Sequence, residues 1–190
     1  MSKLRLNVNT EGKVKLSLSI SLVIYSIIVA ILNNAILAIM AMSSGSFGDI
    51  SIMASRGCLT NRNEDTFNVG VMAFALQHIF YILQMQTEYS ETFFIATMII
   101  FLIMLGIMKI AKTQKDVPLC ILYAIIIILN AINAFNFSWI AALGMSLFLV
   151  SDIILAISKM LDKRSITWQV AIWITYVPAQ ICMLTAILLK

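Results

Sequence analysis

Charge is scarce in this chain. Of its 190 residues only 12% are charged, while 61% are hydrophobic; a soluble domain carries roughly 25% charged residues. There is too little polar surface to clothe a water-facing globule, which excludes a soluble fold. Histidine is scarcer still, with His78 the single example. A hydrolytic zinc centre needs several protein ligands, commonly histidines, so no metal is expected. The three cysteines, Cys58, Cys120 and Cys182, are scattered, and no spacing among them makes a metal knuckle or a redox pair. Also missing are a Gly-x-Ser-x-Gly elbow and a phosphate-cradling glycine loop. No serine is marked out as a nucleophile and no cofactor is expected. The net charge of +4 reflects membrane topology rather than nucleic-acid binding.

What the chain does have is apolar sequence in blocks of about 17 to 22 residues, the length a helix needs to cross a hydrocarbon core of roughly 30 Å. The expected fold is all-α: a polytopic membrane helical bundle of about seven transmembrane helices. The spans are Leu16–Leu32, Ala35–Ala54, Phe67–Gln86, Thr92–Met108, Val117–Phe135, Phe137–Ser158 and Trp168–Leu189. Residues 1–15, polar and mixed in charge, form an N-terminal segment, and residues 16–190 form one transmembrane domain. No small-residue cleavage site follows the first apolar block, so it is a retained span rather than a signal peptide.

Asn33-Asn34 has to be a tight turn, because otherwise one helix runs from Leu16 to Met53. Positive-inside bias decides between the two. With seven spans, twelve of the thirteen Lys and Arg residues fall on one side and only Lys190 on the other. Merging the first two spans leaves eight against five. The N-terminus is therefore expected on the cytoplasmic side. Richness in isoleucine and asparagine points to an AT-rich bacterial genome, and so to the cell membrane.

Seven of the nine acidic residues fall in loops. Asp49 and Asp152 do not, and His78 also lies mid-span. Ionisable groups at membrane depth are costly and mark candidate sites. The two aspartates share a context: Gly48-Asp49-Ile50-Ser51-Ile52 resembles Ser151-Asp152-Ile153-Ile154-Leu155, and Ser55-Arg56 and Ser158-Lys159 follow at matching distances. His78 follows Asp49 by 29 residues and Gln180 follows Asp152 by 28, with Phe74 and Tyr176 each four residues earlier. These matches form a weak parallel internal repeat of about 103 residues, a known membrane architecture. Each aspartate lies seven residues before a basic residue at the cytoplasmic edge, roughly 10 Å deep at the rise of an α-helix. His78 and Gln180 sit somewhat deeper.

Phe67, Gly70, Phe74, His78 and Tyr81 form one helical stripe. Small residues surround both aspartates (Ser44, Gly45, Ser46 and Gly48; Gly144 and Ser151), which lets helices approach closely. The expectation is a polar pocket in the cytoplasmic half of the bilayer, lined by two carboxyls, an imidazole and an amide. Asn130, Asn133 and Asn136 run along one side of a span and suit interhelical hydrogen bonding. Pro178 is expected to kink the last helix close to Gln180.

These residues resemble the YhhN family of multi-pass membrane proteins, which includes the lysoplasmalogenases. The resemblance rests on Gly48-Asp49; on Phe67, Gly70, Phe74, His78 and Tyr81; on Pro118 and Tyr123; on Gly144, Phe148, Ser151-Asp152 and Leu155-Ala156; and on Tyr176, Ala179 and Gln180. The matches are in the family's order and run from about Gly45 to Gln180. The chain departs from the pattern at Lys13-Val14, where the family often has Lys-Pro, and at Gly144-Met145, where Gly-Ala is usual. The family typically has eight spans.

The resemblance implies cleavage of the vinyl ether bond of a lysoplasmalogen, a lysophospholipid, to a fatty aldehyde and glycerophosphoethanolamine or glycerophosphocholine. Such a bond hydrolyses by protonation at its β-carbon, and water then captures the oxocarbenium ion. Two carboxyls in a low-dielectric pocket supply a proton donor and a stabilising charge, as paired carboxyls do in glycosidases. Asp49 and Asp152 are assigned those roles, with His78 and Gln180 orienting water or the glycerol hydroxyl. Tyr81, Tyr176 and Ser151 are assigned to substrate binding. The competing class is a proton-coupled transporter of a small or amphiphilic solute, since intramembrane carboxylates and a repeat also build carriers. Both aspartates lying at one depth favours the enzyme.

Overall fold

The computed structural model describes residues 10–55, 65–86, 117–160 and 165–190. Among them are six helices: α1 (Thr10–Asn33), α2 (Ile36–Ser55), α3 (Asp65–Gln84), α4 (Val117–Phe137), α5 (Trp139–Met160) and α6 (Ile166–Leu188). Each is long and apolar enough to cross a membrane. The span expected at Thr92–Met108 lies outside the described residues.

The helices are patterned inside out. On α1, Lys15, Ser19, Leu22, Ser26 and Val29 are buried, while Ile20, Ile24, Ile27 and Ile31 point outward. Both sets recur at helical spacing, and the polar residues occupy the inner one. In hydrocarbon every polar group has to find its partner within the protein, so serines and a lysine turn inward and isoleucines meet the lipid.

The expected turn at Asn33-Asn34 is present. Asn34 has a φ of 52°, the left-handed conformation that asparagine tolerates better than most residues. Asn33 Nδ2 donates to the carbonyls of Ile187 and Leu188 at 2.8 and 2.9 Å, partnering acceptors at the end of α6 that a helix cannot satisfy for itself. The break between α4 and α5 falls at Ser138, whose Oγ accepts the Ala141 N–H at 3.2 Å as a helix cap. At the start of the chain, α1 reaches back to Thr10, so part of the polar N-terminal segment is already helical. The last helix runs unbroken through Pro178.

Each helix packs against its neighbours in chain order, and α1 packs against α6, so the six close a ring. Hydrogen bonds fix their directions. Lys15 meets Gln169 near one end and Asn33 meets Ile187 at the other, so α1 and α6 run parallel. His78 meets Asn130 and Ile82 meets Asn133, so α3 and α4 are also parallel. The remaining neighbours are antiparallel. The first three helices run up, down, up, and the last three do the same.

The tightest seams, α2 on α3 and α5 on α6, depend on glycine. A Cβ at Gly48 would lie 3.0 Å from the Phe74 ring, and one at Gly144 would lie 2.9 Å from the Ala179 carbonyl. The second contact is with backbone, which cannot swing aside. Gly144→Val is expected to destabilise the protein by about 1–3 kcal/mol through overpacking. Thermal unfolding in detergent measures this, and an unchanged melting temperature would show that the α5–α6 seam is looser than described.

Candidate functional site

Asp49 lies six residues from the end of α2, about 9 Å along the helix axis, and is buried. One of its oxygens, Oδ2, accepts the Ser19 hydroxyl from α1 at 2.7 Å and the Tyr176 hydroxyl from α6 at 3.1 Å. Asp152 on α5 accepts the Tyr123 hydroxyl from α4 at 2.7 Å. Both carboxyls border one cavity of about 40 Å3, whose other walls include Lys15, Phe74, Phe148, Ser151, Gln169, Trp173 and Tyr176. A void of that size holds a water molecule or two and has the polar partners water needs. Lys15 Nζ donates to Gln169 Oε1 at 2.7 Å and lies 5.9 Å from the centre of the Trp173 ring. Ser151 directs its hydroxyl to the Ile172 carbonyl at 3.2 Å, tying α5 to α6 beside Asp152.

The other expected members are not in this cavity. Phe74, Phe148 and Tyr176 meet edge to face with ring centres 5.6 to 6.2 Å apart and form a wall across the bundle. Behind it, Gln180 Oε1 accepts from Gln77 Nε2 at 2.9 Å and from Tyr81 Oη at 2.8 Å. His78 stands edge-on to Phe148 with centres 4.5 Å apart, and Asn130 Nδ2 lies 2.8 Å from its Nδ1. One mixed pocket was the expectation, but the structure has two polar layers. His78 and Gln180 start deeper than the aspartates, and the rings of Phe74 on α3, Phe148 on α5 and Tyr176 on α6 lie between the two sets. Tyr123 on α4 has its ring 6.1 Å from that of His78 and its hydroxyl on Asp152. Among the described residues no three His, Cys, Asp or Glu side chains gather as they would around a metal ion.

Several contributors were not singled out as site residues from the sequence. Ser19 is one of many serines in α1 and carries no local signal. Tyr123 belongs to the motif pattern but had no assigned partner. Lys15 was counted only as a topological charge. Gln77 adjoins His78 and packs against Gly45, where a Cβ would lie 2.5 Å from its amide nitrogen. That near-contact gives Gly45 its reason to be glycine.

The YhhN family model matches residues 13–187, nearly the whole chain. The chain belongs to the YhhN family. No curated protein and no solved structure matches it. The matched region spans every residue of both polar layers in this YhhN protein, from Lys15 to Gln180.

The deeper layer has a measurable energetic signature. Gln180→Leu strands Gln77 Nε2, at about 1–3 kcal/mol if left unpaired, and leaves the Tyr81 hydroxyl only the Met42 sulfur at 3.8 Å. Combining it with Gln77→Leu removes one stranded group, so the double variant should lose less than the sum of the two single losses. Strictly additive losses in detergent unfolding would show that the two amides are not coupled.

Proposed function

We propose that this YhhN protein is a membrane-embedded hydrolase that cleaves the vinyl ether bond of lysoplasmalogens. The products would be a fatty aldehyde and glycerophosphoethanolamine or glycerophosphocholine. The observation that carries this reading is that Asp49 and Asp152, from different helices, border one cavity with room for water. In the proposed chemistry the protonated carboxyl of Asp152 adds its proton to the β-carbon of the vinyl ether, and the oxygen-bearing carbon becomes an oxocarbenium ion. Asp49 stabilises that cation and takes a proton from the attacking water. The resulting hemiacetal expels the glycerol oxygen, which leaves with a proton, and the aldehyde is freed. Asp49 accepts two hydroxyls and shares its cavity with the Lys15 ammonium, which suits it to the charged role. Asp152 accepts one from Tyr123. Ser151 and Tyr176 line the cavity and contact the substrate. His78, Gln180 and Tyr81 act from behind the aromatic wall, holding Phe148 and Tyr176 in place.

The topology belongs to the same reading. The parallel course of α3 and α4 supports the sequence expectation of a seventh span, Thr92–Met108, between them. Seven spans then put the Lys15 end on the cytoplasmic side, as the positive-inside bias favours. Lys13, Lys15 and Lys159 lie at that end, while Lys190, over the Phe137 ring, lies at the other. The two up-down-up triads are read as copies of a parallel repeat, supported by each aspartate accepting a hydroxyl from the first helix of its own triad. Residues 16–190 then form one transmembrane domain. A carrier would instead pass protons between the two polar layers; the aromatic wall between them favours chemistry confined to the aspartate cavity.

Purified protein in detergent should release aldehyde from a lysoplasmalogen and none from its saturated ether analogue. Asp49→Asn and Asp152→Asn are each expected to lower kcat by roughly 10²–10⁴-fold, the span typical of a lost acid or base, with elution like the wild type. Absence of aldehyde from monodisperse wild-type protein would remove the hydrolase reading and bring the carrier forward.

A further inference from the structure

The α1–α6 seam carries a second feature besides the aspartate cavity. Near the Lys15 end, a groove of about 400 Å3 runs between the two parallel helices, walled by Val14, Leu18, Ile166, Val170 and Trp173. Val14, Ile166 and Val170 are exposed on its rim, and the buried Lys15 and Gln169 form its floor. Both helices have membrane-spanning length, so the rim faces lipid. Lys15, Gln169 and Trp173 also wall the aspartate cavity. These three side chains therefore separate a lipid-facing groove from the carboxyl pair, and the Lys15–Gln169 hydrogen bond spans the partition.

We infer that this seam is the lateral entrance for a single-chain phospholipid, with its chain lying in the groove and its phosphate drawing the Lys15 ammonium away from Gln169. The ligand class rests on the hydrolase reading above. At about 40 Å3 the aspartate cavity takes water but no alkyl chain, so the chain of any amphiphile cleaved there has to lie alongside it. The adjoining groove, at about 400 Å3, is the larger of the two and has almost wholly apolar walls, within the size range of lipid and small-molecule sites. Charge sets which end of the ligand goes where. A phosphate offers Lys15 an acceptor that is itself charged, where Gln169 offers a neutral amide oxygen, which favours the exchange. Moving Lys15 off Gln169 joins groove to cavity, and the first carbons of the chain then lie beside the carboxyls.

The test uses the full chain in detergent with Trp139→Phe and Trp168→Phe, leaving Trp173 as the only tryptophan. Its fluorescence is titrated with lysophosphatidylcholine brominated along a saturated acyl chain. The controls are the matching brominated monoacylglycerol, which lacks phosphate, and a brominated diacyl phospholipid. Saturable quenching by the single-chain phospholipid is expected, with half-saturation roughly tenfold tighter than for either control. Lys15→Met should remove that advantage over the monoacylglycerol, and Lys15→Arg should keep it. Val170→Phe, which fills the groove from its lipid-facing rim, should weaken binding of both single-chain probes. Because Lys15 is buried, Lys15→Met puts folding at risk, and the Arg and Phe variants carry the test without it. Equal quenching by all three lipids, or quenching indifferent to Val170→Phe, would overturn the entrance and leave ordinary contact with surrounding lipid. The probe carries an ester and no vinyl ether, so binding is read without turnover. Aldehyde release without the quenching pattern removes the entrance alone, and the quenching pattern without aldehyde removes the chemistry alone.

Discussion

Three helices meet at one carboxyl oxygen. Ser19 from α1 and Tyr176 from α6 both donate to Asp49 of α2, and so the first helix, the second and the last are held at one point. Outside the small aspartate cavity, hydrocarbon offers no water to take over a broken bond, so the polar groups of this seam have to find their partners within the protein. The ring therefore closes where its polar groups are obliged to meet. Lys15 with Gln169, Tyr25 with Thr185, and Asn33 with the last carbonyls of α6 continue the same seam from end to end. Between the antiparallel neighbours, glycine does the comparable work by removing side chain so that surfaces can touch.

The aromatic wall follows from the same constraint. Carboxyls near one end of the bundle and amides and an imidazole deeper in need different surroundings, and Phe74, Phe148 and Tyr176 keep them apart. Tyr176 belongs to both sides, with its ring in the wall and its hydroxyl on Asp49. Phe148 touches His78 on one side and borders the aspartate cavity on the other. A change in the deeper layer thus reaches the carboxyls through packed rings rather than through a continuous chain of hydrogen bonds. The α1–α6 seam adds a lipid-facing groove on the carboxyl side of that wall, behind a partition of only three side chains.

Much of the helical plan was legible in the residues. The break at Asn33-Asn34 came from the distribution of positive charge and the one at Asn136 from an interruption in an apolar run, and the structure moves the second only to Ser138. Asp49 and Asp152 stood out because carboxyls are so rarely left at membrane depth. Asn130 and Asn133 read correctly as interhelical contacts, while Asn136 ends up exposed. Ser19 was not legible, because a serine in a serine-rich helix is marked only by what it faces. Nor was the separation of His78 from the aspartates, since depth along a helix says nothing about what fills the space between two depths.

By itself the sequence determined the membrane class, the family, the helical breaks and the two carboxyls worth examining. Each of these is a property of composition or of spacing along one chain, and hydrocarbon enforces it strictly. The tertiary structure alone decided that α1 lies against α6, that Asp49 is held by three helices at once, and that His78 and Gln180 form a layer of their own. It also decided that Lys15, a single charge among thirteen basic residues, stands between a lipid-facing groove and a polar cavity. Those outcomes depend on how helices rotate and pair across more than a hundred residues of separation, where side-chain volume and hydrogen-bond geometry choose among arrangements that apolar patterning leaves equal.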